Sequence, residues 1–150
     1  MTESQPSLAV ESVLHCRYLI PVIPENTVLE HHSIAMAQGK IVDILPRHEA
    51  EQRYSQATAV MLDQHIVVPG LVNAHGHAAM SLLRSYANDL ALMDWLNNHI
   101  WPAEARWVSD AFVFDGTQLA IGEMIRSGTT CFSDMYFFPE AAARAALAAG

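Results

Sequence analysis

Val67-Val68-Pro69-Gly70-Leu71-Val72-Asn73-Ala74-His75-Gly76-His77 reads as a short apolar strand, entered through Pro-Gly and closed by two histidines one residue apart. In an extended backbone residues i and i+2 project to the same side, so the imidazoles of His75 and His77 can grip one ion. Gly76 between them carries no side chain, which lets the backbone approach a metal closely or take an unusual φ without steric cost. Neutral imidazole suits Zn²⁺, and a catalytic zinc keeps three or more protein ligands with one position open for water. A bare His-x-His is more often two surface histidines on a turn. Here the pair ends an apolar strand, where a parallel barrel carries its catalytic face.

Downstream of Gly70, strands alternate with helices, the pattern of parallel βα units. Leu71 to Ala74 predicts a strand, and helices are expected over Ala78 to Tyr86 and Leu92 to Ile100, the second halted by Pro102. Ser109 can cap a longer helix whose face carries Phe114, Ile121, Met124 and Ile125, with Gly128 at its C-terminal cap. Thr129 to Met135 predicts a second strand and the alanine-rich Glu140 to Ala149 another helix. About two βα units result, against the eight and roughly 250 residues of a closed (β/α)8 barrel.

Upstream, the runs Leu8 to Leu14, Tyr18 to Ile23, Val28 to Ala37 and Lys40 to Leu45 predict short strands. Gln38-Gly39-Lys40 marks a hairpin turn, while Pro21, Pro24 and Pro46 favour strand edges or boundaries. Arg47 to Gln56 suits a short polar helix, and Thr58 to Leu62 resumes strand character.

With 51% hydrophobic residues, 16% charged residues and a mean hydropathy of +0.15, the 150-residue chain can build a packed core. Its net charge of -8, with eight Lys plus Arg and no basic run, speaks against a nucleic-acid or anionic-membrane partner. Cys16 and Cys131 lie far apart without a CxxC spacing, which fits a reducing cytoplasm and no thiolate zinc site. The polar, acidic start Met1 to Ser7 is the reverse of a signal peptide, and no apolar run is long enough to span a bilayer.

From Val67 to Phe138 the chain resembles the amidohydrolase superfamily, and within it the 5'-methylthioadenosine/S-adenosylhomocysteine deaminase group. The resemblance rests on Val68-Pro-Gly-Leu-Val-Asn-Ala-His-Gly-His-Ala-Ala-Met80, on Leu82-Leu-Arg84, on Trp95-Leu with Pro102-Ala-Glu104, and on Ser127-Gly-Thr-Thr-Cys-Phe-Ser-Asp-Met-Tyr136. It implies an α/β chain in which residues 1–68 are the N-terminal part of a small flanking β-sandwich. Residues 69–150 are then the first part of a metal-dependent (β/α)8 barrel, incomplete here. It also implies that His75 and His77 are the first two ligands of one Zn²⁺ per subunit. A further histidine and an aspartate, with a glutamate and a histidine that manage protons, are expected beyond Gly150, so no catalytic residue falls within 1–150. The implied reaction is hydrolytic deamination of 5'-methylthioadenosine and S-adenosylhomocysteine, and of adenosine as a further candidate. A zinc-activated hydroxide would give the inosine analogues plus ammonia.

By the same resemblance Glu104 sits where the family's carboxylate accepts hydrogen bonds from the ribose hydroxyls, and two acceptor oxygens suit a vicinal diol. On spacing alone it is an ordinary solvated glutamate. Trp95 either lines the ribose or thioether end of the pocket or packs with Leu92 and Leu96. Trp101 and Trp107 are expected to be structural, Asp134 to cap or position neighbouring groups, and Cys131 to be a buried small hydrophobe. His15, His31, His32, His48, His65 and His99 lack partner spacing and suit surface or packing positions.

The expected partner is a small adenine nucleoside, with homo-oligomerisation left open. The alternatives are another amidohydrolase acting on a purine, pyrimidine or triazine ring, and a catalytically silent barrel serving as a binding protein. A free-standing 150-residue zinc module is disfavoured, because two imidazoles seldom complete a zinc site.

Overall fold

The computed structural model describes residues 9–150. The strand expected from Leu8 and the polar start Met1 to Ser7 therefore fall, at Leu8 and before it, outside the described residues. Two compact units divide the chain, Met1–Pro69 and Gly70–Gly150.

The first unit is built around β1 (Ser12–Leu19), which runs through the gap expected between two separate strands. β1 pairs antiparallel with β2 (Leu29–Glu30) and β3 (His32–Ala37), and parallel with β5 (Thr58–Val67). Leu19 opposite Leu29 and Ser12 opposite Met36 obey one continuous register, so β2 and β3 are one strand interrupted at His31, whose φ is 50°. β4 (Lys40–Pro46) pairs with β3 through the expected hairpin. Gln38 and Gly39 have φ of 51° and 69°, the positive pair that a two-residue turn between twisted strands demands. Val13, Ala35 and Leu45 bury one face of the sheet against Ala50 of α1 (Arg47–Arg53), and Cys16, Leu19 and Ile34 bury the other. A ladder irregularity between Cys16 and Tyr18 accompanies this burial on both faces. His15 is buried and its Nδ1 meets the Ser33 hydroxyl at 2.7 Å, a packing role.

The second unit is a β-α-β crossover. β6 (Leu71–Gly76) and β7 (Thr129–Asp134) pair in parallel, and the connecting chain supplies the helices. Residues Ala78–Leu83 form a 3₁₀ helix, shorter and tighter than the α-helix expected to Tyr86. Positive φ at Ser85 and Ala87 ends it. The helix expected to halt before Pro102 instead continues: α2 (Leu92–Trp95) passes into a π-helical turn, Leu96–Ile100, and then into α3 (Trp101–Trp107). The Trp101 amide donates to the Leu96 carbonyl, five residues back, so the proline's missing N–H falls where the hydrogen-bond register changes and interrupts nothing.

α4 (Asp110–Arg126) is capped by the Ser109 hydroxyl, which accepts from the Phe112 amide at 3.2 Å, and is left through Gly128 at φ 83°. Its buried face is Val113, Gly116, Thr117, Ala120 and Ile121; of the expected stripe Ile121 is buried, Phe114 and Met124 are half-buried and Ile125 is 61% exposed. Small side chains allow close approach to the 3₁₀ helix and to α5 (Pro139–Ala149), whose Ala141 and Ala142 share a core with Ala79 and Val113. Among the described residues no helix is long and apolar enough to cross a membrane.

Candidate metal centre and substrate cleft

Parallel pairing sets the C-terminal ends of β6 and β7 side by side, with Gly76 opposite Asp134 and the Met135 amide donating to the Gly76 carbonyl at 3.0 Å. His75 and His77 leave β6 at this end, both exposed, with ring centroids 5.3 Å apart at 75°. Two imidazoles on one tetrahedral zinc, at Zn–N of about 2.0–2.1 Å, place their centroids about 5 Å apart. The pair therefore fits a shared ion.

His77 Nδ1 lies 2.5 Å from the Met135 carbonyl oxygen. A carbonyl only accepts, so Nδ1 carries the proton and Nε2 presents its lone pair, as a metal-ligating histidine requires. The His75 amide donates to Asn73 Oδ1 at 3.3 Å, steadying the strand end. Gly76 does not take the unusual φ considered from sequence. A Cβ there would lie 3.3 Å from Asn73 Nδ2, a tight contact that a small shift of the Asn73 side chain would relieve. Among the described residues no group of three or more His, Cys, Asp or Glu gathers, and His75 and His77 are the candidate ligands brought together at this strand end.

One cleft of about 440 Å³ brings His77, Trp95 and Glu104 together, with Trp101, Tyr136 and Phe137 among its walls. Trp95 donates from Nε1 to the Tyr86 carbonyl at 3.3 Å while also lining the cleft. Glu104 reaches the cleft from α3, and its Oε1 accepts from the Tyr136 hydroxyl at 2.8 Å. Burial, and then the neighbouring Glu104 carboxylate, push the Tyr136 phenol above its ordinary value, so the hydroxyl stays a donor. The Tyr136 ring stands 6.2 Å from that of His77 and edge-on to Phe137 at 5.1 Å.

Tyr136 carries no motif of its own that marks it in the sequence, and Trp101, expected to be structural, is a half-exposed wall of the cleft. The available signal was positional: Asp134-Met135-Tyr136 closes the strand that must pair beside the histidine strand, and parallel sheets gather their functional groups at those ends. Asp134 does position its neighbours, accepting at Oδ1 from the amides of Ala78 and Met135. Cys131 is exposed, contrary to expectation, because among the described residues β7 pairs with β6 alone and this part of its surface is uncovered.

A model of the Amidohydrolase family matches residues 66–150. The chain is 48% identical over its full length to the 5-methylthioadenosine/S-adenosylhomocysteine deaminase of Saccharophagus degradans, covering 33% of that protein. It is 45% identical over 134 residues to the 5'-deoxyadenosine deaminase of Methanosarcina barkeri, covering 89% of this chain and 30% of that one. The crystal structure of an adenosine deaminase from Xanthomonas campestris with bound zinc superposes with a TM-score of 0.87 at 44% identity, over 93% of this chain and 32% of that chain. The chain thus spans about a third of the length of the relatives it matches.

Proposed function

The chain belongs to the amidohydrolase family, and on that footing we propose that it forms the first third of a zinc-dependent deaminase of adenine nucleosides. The substrates are 5'-methylthioadenosine and S-adenosylhomocysteine. The observation that carries this reading is one cleft lined by both a candidate zinc ligand, His77, and Glu104. The deaminase relatives and the zinc-containing structure of similar fold support it.

In this reading β6 and β7 open a (β/α)8 barrel and the β-rich residues 1–68 belong to a flanking sandwich. His75 and His77 hold one zinc ion with a histidine and an aspartate from later strands. The bound zinc would lower the pKa of its water and supply the nucleophile that displaces the ring amino group as ammonia. The Met135 carbonyl beside Nδ1 favours the tautomer that leaves Nε2 free to serve as a ligand. Glu104 accepts from the ribose hydroxyls, and Trp95 supplies an apolar wall beside the sugar or its 5' substituent. Free Cys16 and Cys131 fit a cytoplasmic enzyme.

The full-length, zinc-replete protein is expected to abolish the adenine absorbance of 5'-methylthioadenosine with release of ammonia, in preference to guanine, cytosine or chlorotriazines. His77→Ala should lower zinc content and rate together, by more than the roughly 10–100-fold that loss of an outer-shell partner costs. Turnover of a free base or a triazine without turnover of nucleosides would reassign the substrate. Deamination by a zinc-free His77→Ala protein would refute the metal site.

A further inference from the structure

Resting on the reading of Glu104 as the diol-binding carboxylate, we propose that Tyr136 is a positioning residue that sets the preference for nucleosides with an intact ribose diol. Glu104 of α3 and Tyr136 of the bend after β7, 32 residues apart, meet at the wall of the cleft that His77 also lines. A glutamate has three rotatable bonds, and a carboxylate that must meet two adjacent hydroxyls gains from being held in one orientation before substrate arrives. The Tyr136 hydroxyl does this by donating to Oε1 at 2.8 Å. Oε2 and the second lone pair of Oε1 remain as acceptors for a diol.

Tyr136 is itself fixed. Its ring packs against the core formed by Ala79, Val113, Ala141 and Ala142, and stands edge-on to Phe137 at 69°. Its backbone follows Met135, whose amide and carbonyl are both engaged at the ends of β6 and β7. The strand end that orients His77 therefore also orients, through Tyr136, the carboxylate assigned to the sugar. Zinc site and sugar site are thereby held in register by one short segment of chain.

The test uses the full-length enzyme and its Tyr136→Phe, Glu104→Ala and doubly substituted variants, assayed on 5'-methylthioadenosine and on its 2'-deoxy analogue, with zinc content and thermal midpoint measured in parallel. Tyr136→Phe removes one oxygen and keeps the ring, so packing is retained. It should raise KM for 5'-methylthioadenosine about 10-fold, the worth of one hydrogen bond to a charged group, while lowering kcat far less. The preference for the riboside over the 2'-deoxy analogue should narrow by the same factor, and the substitution should add nothing once Glu104 is Ala. Equal losses on both substrates, or effects that multiply in the double variant, would overturn the positioning role. A Glu104→Ala enzyme with unaltered KM would instead overturn the diol reading itself. A large effect of Glu104→Ala beside a silent Tyr136→Phe would leave that reading standing and remove this one.

Discussion

One oxygen of Asp134 closes the loop around His77. Its Oδ1 accepts from the Ala78 amide at 2.9 Å and from the Met135 amide at 3.1 Å. Ala78 follows His77 in the chain, and the Met135 carbonyl receives the His77 Nδ1–H. Asp134→Ala should therefore leave both imidazoles present but His77 less well aimed, weakening zinc binding on the order of 10–100-fold. Asp134→Asn keeps a carbonyl oxygen and should lose much less. Competition of the full-length variants with a chelator of known affinity measures both, and equal zinc affinity for Asp134→Ala and wild type would contradict this role. The histidine pair was legible because i and i+2 share a side of an extended strand, a rule that needs no tertiary information. A positioning role for Asp134 was legible from its place at the strand end, but its contact with Ala78 and the role of Tyr136 were not, because those partners lie 56 and 32 residues away and only the pairing of β7 beside β6 brings them together.

At the level of elements, the approach of α4 to the 3₁₀ helix after His77 depends on Gly116. A Cβ there would stand 2.5 Å from the Ala79 carbonyl oxygen. The Ser81 hydroxyl bridges the same pair of elements by donating to the Gly116 carbonyl at 2.7 Å, and Arg84 clamps Glu123 through two hydrogen bonds of 2.7 and 2.6 Å. Gly116→Ala gains about 1 kcal/mol of helix propensity but must overpack a rigid backbone contact, at about 1–3 kcal/mol. A net loss of stability is expected, with weaker zinc binding as the 3₁₀ helix shifts. Gly122→Ala, on the same helix where a Cβ meets nothing, should be neutral or stabilising. Urea midpoints of the two variants compare them directly, and a Gly116→Ala midpoint at or above that of Gly122→Ala would contradict the packing argument. The ends of α4 were legible in Ser109 and Gly128, since capping is local chemistry. Its buried face was legible only in part, at Ile121 and Phe114: periodicity favours the largest apolar residues, whereas the face in contact also runs through Gly116, Thr117 and Ala120, whose small side chains permit close approach. The helix through Pro102 was misjudged for a related reason, because a single π turn moves the hydrogen-bond register and composition carries no mark of it.

For the whole molecule, both units leave apolar side chains uncovered. In the first, β1 and β3 bury residues on both faces of their sheet while Ile41, Met61 and Ile66 of β4 and β5 stay exposed; in the second, Leu71 and Val72 of β6 are 56% and 66% exposed, and Ile121, Met124 and Phe132 line an open cavity of about 390 Å³. Strands of a parallel sheet are ordinarily covered on both faces, and the exposure of β6 accords with the barrel proposed above. A catalytic zinc needs at least three protein ligands, and His75 and His77 are the two candidates paired among the described residues. The polypeptide 1–150 alone is therefore expected to hold zinc weakly and to release no ammonia from 5'-methylthioadenosine, at zinc and substrate concentrations where the full-length enzyme turns over. Purified 1–150 and full-length protein, assayed side by side with zinc measured after gel filtration, check both points. Stoichiometric retention of zinc by 1–150 would mean that its own residues complete the shell. Deamination by it would mean that the proton-transfer groups assigned to later strands are dispensable, and with them the division of labour proposed for this family member.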